Sequence, residues 1–232
     1  MPVELSRTAL TVVAVGGFES NSGKTTLLCE LLRAFPGWEA IKVTRGHYRS
    51  CGRDPQACCV SPLLGDAPLV RTGRAETYVP GKDTGRYWDA GAANVHWVIA
   101  TDAQIEEGIA LALARVAAPG VFVEGNSYLR FVEVDFALLV TRGGGQKPKP
   151  SARRALSQLS AVYLSGAVDA SDETSVNAIR KQLAAFGAAE DTPLYAPPTL
   201  AQLSARIRGI HEGALRPRGV SGAATRDEAA SA

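Results

Sequence analysis

Nothing in the 232 residues approaches eighteen consecutive apolar positions, so no membrane-spanning helix is expected. Neither sign of charge is in excess. The 25 Lys and Arg against 23 Asp and Glu leave a formal +2, too small to argue for nucleic acid or a membrane surface as partner. Cysteine is scarce, four in all. The opening "MPVELSRTALTVVAVGG" has an early acid and only a short apolar run, which reads as a first strand and not a signal peptide. A cytoplasmic location is therefore expected. There the cysteines stay reduced, as core thiols, metal ligands or reactive groups, not as a disulfide framework. No internal repeat is visible. What is present, 46% hydrophobic and 21% charged residues, is ordinary for a globular chain holding one good-sized α/β domain or two small ones.

Seven short apolar runs read as strands: Leu10–Val15, Ala40–Thr44, Val95–Ala100, Gly120–Glu124, Val134–Thr141, Ala161–Ser165 and Leu194–Ala196. Helical patterns lie between several of them. Lys24–Phe35 puts Leu27, Leu28, Leu31 and Leu32 on one face, and Gln104–Val116, Thr174–Phe186 and Leu200–Ile210 repeat apolar residues at helical spacing. Strands alternating with helices imply an α/β fold, a mostly parallel sheet flanked by helices on both faces. Ligands then belong at the carboxyl ends of the strands. Gly46–Asp83 breaks the alternation: it is rich in Gly, Pro, Arg and Cys and has no clear period. The expected organisation is one domain over residues 1–215, with a cysteine-bearing insertion at about 46–79, and a small, polar, disordered tail over 216–232.

The stretch Val13–Leu28, "VAVGGFESNSGKTTLL", carries the strongest chemistry. A loop between strand and helix that ends Gly-Lys-Ser/Thr curls consecutive N–H groups around phosphates, with the positive helix end behind them. Gly23, Lys24, Thr25 and Thr26 supply the second half, with Asn21 and Ser22 before them. Lys24 would neutralise the terminal phosphate oxygens and the Thr25 hydroxyl would ligate Mg²⁺. The first half departs from the usual spacing. Phe18 stands where a glycine is expected, and five residues separate Gly17 from Gly23. In this the loop resembles that of dethiobiotin synthetases. The alternative is a Gly/Ser turn that happens to precede Lys-Thr-Thr. "GVFVEGNS" offers Glu124 after an apolar run, to hold magnesium through water or to orient an attacking water; a solvated glutamate at a strand end is the alternative.

Further on the chain reads "VPGKDTGRYWDAGAANVHWVIAT". Asp83, after a turn-forming Pro-Gly, can accept from a ligand hydroxyl or join a metal shell, and Lys82 can meet an anion or form a surface ion pair. Taken in order, "SNSGKTTL", "AIKVT", Pro80-Gly81-Lys82-Asp83-Thr84, Ala90-Gly91-Ala92 and "VEG" resemble the molybdopterin-guanine dinucleotide biosynthesis protein B (MobB) family, in blocks over roughly residues 10–135. The resemblance implies a homodimeric P-loop NTPase that binds GTP or ATP with Mg²⁺, in a class shared with nickel-insertion GTPases and dethiobiotin synthetases. An accessory role in molybdenum-cofactor or metal-centre assembly would follow, with Lys24, Glu124 and Asp83 as catalytic residues. The rivals are an ATP-dependent small-molecule kinase or ligase of the dethiobiotin-synthetase kind and a non-catalytic nucleotide-binding module.

The chain departs from that family after the second strand. Where the family tends to carry histidines, His47 alone remains, and Cys51, Cys58 and Cys59 follow it. These four would make a tetrahedral zinc site or ligate an iron–sulfur cluster. The alternatives are small buried hydrophobes or a thiol activated by Arg49 and Arg53. Cys29 is read as core, His96 as a hydrogen-bonded structural residue, and His211 carries no signal. For base recognition, "VYLSGAVDASDET" offers Asp169 or Asp172 but lacks the Asn-Lys of guanine-specific relatives. Asp172 alternatively caps the following helix. Arg142, Lys147 and Lys149 face an anionic substrate or partner, or simply solvent.

Overall fold

The computed structural model describes residues 10–46, 63–126, 132–143, 148, 152–153, 156–166 and 172–215. In chain order they form β1 (Thr11–Gly17), α1 (Lys24–Ala34), β2 (Glu39–Arg45), β3 (Leu69–Thr72), α2 (Arg74–Thr77), α3 (Asp83–Asp89), β4 (Val95–Ala100), α4 (Ile105–Leu113), β5 (Gly120–Glu124), β6 (Phe136–Thr141), β7 (Ala161–Leu164), α5 (Glu173–Ala185), β8 (Leu194–Tyr195) and α6 (Leu200–His211). The eight strands make one sheet in the order β3-β4-β2-β5-β1-β6-β7-β8. Only β3 runs antiparallel to its neighbour.

Alternation along each strand sorts the core into two layers. On one face Val12 and Ala14 of β1, Ile41 and Val123 meet Ile105 and Ile109 of α4 and Ile179 and Leu183 of α5. On the other, Val13 and Val15, Ala40, Phe122 and Phe136 meet the leucines of α1, Tyr87 of α3 and Leu203 and Ile207 of α6. Strands buried on both sides must be apolar throughout, which is why β1 reads as an unbroken run. The chain leaves β1 toward β2 on one side and leaves β6 toward β7 on the other, so strand order reverses between these neighbours. The crevice for a ligand lies there, beyond the carboxyl ends.

α1 begins without the usual device. Its N-cap is Gly23, at φ +89°, with no side-chain cap and no acidic residue in the first turn. With glycine at that position the lost side-chain cap costs only about a few tenths of a kcal/mol. The four buried leucines, at roughly 2 kcal/mol each, outweigh it. Packing therefore dominates the stability of the helix, and its first N–H groups have neither an intrahelical nor a side-chain cap partner.

The stretch in which no period is legible holds regular structure after all: β3 and α2 both fall inside Gly46–Asp83. His47, Cys51, Cys58 and Cys59 lie outside the described residues. At the opposite end of the sheet from the crevice, His96 is buried between Glu39 (2.7 Å) and Thr72 (3.0 Å). The other Glu39 oxygen accepts from the N–H groups of Ala117 and Ala118 at 3.0 Å. This fits the structural role read for His96, as burial of Cys29 fits its role in the core. His211 bonds to Thr11 and packs edge-on against Trp38.

Candidate nucleotide site

The loop between β1 and α1 is held from several directions. The Asn126 side chain, two residues beyond β5, accepts from Gly17 N–H at 2.7 Å and donates to Gly17 C=O at 2.8 Å. Phe18 N–H donates to Val140 C=O. Glu19 is buried, accepting from the Thr141 hydroxyl at 3.2 Å and the Arg142 N–H at 2.8 Å. Ser165, just after β7, donates to Ser22 C=O at 2.5 Å. Asn21 and Gly23 both take left-handed conformations, φ +56° and +89°, which turn the loop back on itself.

Gly17 fills the place of the first glycine. A Cβ there would lie 2.5 Å from Ser22 Oγ and 2.8 Å from Lys24 Nζ. The lysine therefore folds back over Gly17, and a larger residue would displace it. The extra loop residue, Phe18, has its own reason: its ring is buried in the layer under α5, edge-on to Phe186 at 6.0 Å. Ser22 Oγ is fully buried and has no hydrogen-bond partner among the described residues.

A cleft of about 440 Å³ opens over residues 21–26 and reaches Lys42, Asp83, Arg86, Glu124 and Arg142. Four elements converge in it. Glu124 ends β5, and Lys42 is its register partner on β2, so both point to the face that carries α1 and α3. Asp83 opens α3 and Thr25 sits in the first turn of α1. Lys42 Nζ lies 2.5 Å from Glu124 Oε1 and 2.6 Å from Asp83 Oδ2. The Thr25 hydroxyl donates to Glu124 Oε2 at 3.0 Å, and the Tyr87 hydroxyl donates to the same oxygen. Glu124 is 2% exposed, so it is not a solvated strand-end carboxylate. Arg86 reaches from α3 to Thr26 Oγ1 at 3.2 Å.

The electrostatics follow from this crowding. Burial works against the Lys42 ammonium, but Glu124 and Asp83 more than compensate and its pKa rises above the ordinary lysine value. Burial likewise opposes the Asp83 carboxylate, yet Lys42 and the Thr25 hydroxyl hold it below the ordinary range. Burial and the Glu124 charge push the Tyr87 phenol well up. Burial raises the Cys29 thiol against the pull of Arg86 and Arg33.

Of the expected site residues, the cleft gathers Asn21, Ser22, Gly23, Lys24, Thr25, Thr26, Asp83 and Glu124. Lys82 is the N-cap residue of α3, exposed to solvent and outside the cleft lining. Asp169 lies outside the described residues; Asp172 caps α5, accepting from Thr174 N–H at 3.0 Å. Sequence reasoning missed Lys42, Arg86, Tyr87, Asn126, Glu19 and Ser165. Among the described residues no group of three or more His, Cys, Asp or Glu side chains is arranged to hold a metal ion.

The mostly parallel sheet and the helix-bearing loop are those of an α/β P-loop NTPase fold, and a solved structure shares that fold. HypB from Helicobacter pylori, solved in complex with nickel, is similar over 93% of each chain at 12% identity and a TM-score of 0.50. The "apo" form of LpxK from Aquifex aeolicus in complex with ATP is similar at 19% identity over 67% of this chain, with a TM-score of 0.40; the chain spans about half of it, 48%. For pNOB8 ParA bound to nonspecific DNA the figures are 12% identity, 75% of this chain and 73% of that one, and a TM-score of 0.36. No family model matches the chain, and no curated protein matches it. No helix among the described residues is long and apolar enough to cross a membrane.

Proposed function

We propose that the chain binds a nucleoside triphosphate with Mg²⁺ and hydrolyses it as an accessory NTPase of the MobB-like kind, serving cofactor or metal-centre assembly. One observation carries the reading: an uncapped helix start, a pre-curled loop with Lys24 laid over Gly17, and the Thr25–Glu124–Lys42–Asp83 cluster all meet in a single cleft. The loop N–H groups and Lys24 would take the phosphates. The donor set suits a hard cation, since a hydroxyl and two carboxylates offer oxygen ligands. Thr25, Asp83 and Glu124 would hold it beside the phosphates. Magnesium bound there neutralises charge on the phosphate oxygens.

The Thr25 proton is directed at Glu124, which leaves the hydroxyl lone pairs for a cation. Lys42 lines the same cleft and is ion-paired to both carboxylates, so it would have to yield at least one of those contacts to a bound cation. The accessory role itself rests on the ordered blocks of sequence that resemble MobB.

A second reading is transfer of the phosphoryl group to a small molecule, in the manner of dethiobiotin synthetase. The favouring observation is that the cleft runs past the phosphate loop to Lys42, Arg86 and Arg142, three cations that suit an anionic acceptor. Turnover separates the two. Slow hydrolysis with no added acceptor supports the accessory NTPase, and strict dependence on an added metabolite supports transfer.

Titration with fluorescent ATP and GTP analogues, with and without magnesium, tests the shared core of both readings. Lys24→Ala should weaken triphosphate affinity by at least about tenfold, since a charge-assisted phosphate contact is worth about 1.5–3 kcal/mol. Affinity equal to wild type in that variant would remove the site assignment.

A further inference from the structure

Tyr87 is fully buried, its ring packed in the layer with the leucines of α1. Phenylalanine would fill that space as well. A phenolic hydroxyl taken out of water costs free energy unless a partner recovers it, so its presence calls for a specific acceptor. That acceptor is Glu124 Oε2, the same oxygen that takes the Thr25 hydroxyl at 3.0 Å. The other oxygen, Oε1, takes Lys42. A carboxylate has about four acceptor positions, and three donors leave about one. The three donors arrive from α3, α1 and β2, so the carboxylate cannot turn without breaking at least one bond. Lys42 and Thr25 each have alternative partners once a ligand enters the cleft. Tyr87, walled in by apolar side chains, has no such freedom. It also shares α3 with Asp83, one helical turn away, so one short helix fixes both carboxylates, one directly and one through a hydroxyl.

We propose that Tyr87 is a positioning residue for divalent-cation capture: its hydroxyl locks the Glu124 carboxylate so that Thr25 offers its lone pairs, and Glu124 its remaining acceptor position, to a cation in the cleft. The proposal rests on the reading of the cleft as a magnesium–nucleotide site. Partners of metal ligands commonly alter metal affinity by 10–100-fold when removed.

The test uses the full chain and Mn²⁺ as probe, followed by electron paramagnetic resonance at saturating ATP or GTP, whichever the wild type binds. Tyr87→Phe should raise the Mn²⁺ midpoint by about tenfold or more, while nucleotide affinity in chelator stays within about twofold, because the residue acts on the cation alone. In a Glu124→Gln background the same substitution should add nothing, as a double-mutant cycle requires of one residue acting through another. A wild-type midpoint in Tyr87→Phe, where Glu124→Gln is impaired, overturns the proposal. So does a shift that persists in the Glu124→Gln background. A wild-type protein that binds nucleotide with no Mn²⁺ dependence sinks the magnesium-site reading and this inference with it.

Should Tyr87→Phe fail to fold, protein labelled with ¹³C at the tyrosine ring carbon bearing oxygen decides the matter. One of the six tyrosine resonances should move in Glu124→Gln and should track Mg²⁺ in wild type with the cation-binding midpoint. No resonance following magnesium overturns the proposal.

Discussion

At the scale of the residue, chemistry in this molecule depends on which atom lies over which. Gly17 is the plainest instance. The atoms nearest the Cβ of an alanine there would be Ser22 Oγ, Lys24 Nζ and Lys24 Cδ, all of them side-chain atoms. The lysine end can move aside but the buried Ser22 hydroxyl must shift as well, so Gly17→Ala should lower the melting temperature modestly and displace the ammonium that the proposed site offers to phosphate. The expected outcome is a loss of triphosphate affinity approaching that of Lys24→Ala in a fluorescence titration, with a cooperative and only modestly lowered melt by calorimetry. Equal affinity would show that Lys24 Nζ is not held where Gly17 leaves room.

The residue scale is also where the sequence was least legible. Lys24, Thr25 and Glu124 sit beside motifs and could be found, as could Asp83 after Pro-Gly. Lys42 gives only a faint sign, a lysine interrupting the apolar run of a strand that both layers bury. Tyr87 gives none, because an aromatic in a helix reads as core, and only the position of β5 brings Glu124 to its hydroxyl. Asn126 belongs to the same class: its paired bonds to Gly17 exist because β5 lies beside β1.

At the scale of the element, long periodic segments were readable and short ones were not. Val95–Ala100 and Gly120–Glu124 form strands with the bounds their apolar runs suggest, and α1, α4, α5 and α6 all lie under their apolar repeats. β3 and α3 escaped for physical reasons. β3 has four half-buried residues and is an antiparallel edge strand, so it needs no unbroken apolar run. α3 has seven residues with a glycine among them, too short for a period to show. Its Gly85 packs onto the Val79 backbone, where a Cβ would come within 2.0 Å of the carbonyl oxygen.

Capping was legible, and it carries a test. Asp172 accepts from Thr174 N–H at 3.0 Å and from the Ser175 hydroxyl at 2.5 Å. Those hydrogen bonds lower its carboxyl pKa. A lowered folded-state value stabilises above the ordinary carboxylate range and is lost as pH falls through it. Asp172→Ala should therefore melt below wild type at neutral pH, with Asp172→Asn between them, and the gap should narrow as pH falls below about 4 through the lowered folded value. A gap that stayed constant into acid would exclude the charged cap.

At the scale of the whole molecule, the buried cluster under the cleft ties folding to alkaline pH. Tyr87 and Lys42 both have raised pKa values. Raised values stabilise fully below the unfolded pKa, which is about 10 for both residue types, and the contribution fades as pH climbs past it. Unfolding releases the Tyr87 proton above that point, a slope of about 1.4 kcal/mol per pH unit. Tyr87→Phe should remove that share of the fall in stability between about pH 10 and 11 in urea denaturation. An unchanged alkaline slope would mean that the phenol is not shielded in the folded protein. That helices cover both faces of the sheet was legible as alternation; which helix lies on which face, and the order of the strands, was not, since crossover connections leave no local mark.

The fastenings of the first loop, to β5 through Asn126, to β6 through Phe18 and Glu19, and to β7 through Ser165, have one more consequence. If the proposed site is right, a loop fastened before its guest arrives would lose little ordering entropy and would accept an oxyanion of the right girth, whether inorganic or nucleotide. Discrimination among guests would then fall to the opposite bank of the cleft, where Lys42, Asp83 and Arg86 stand.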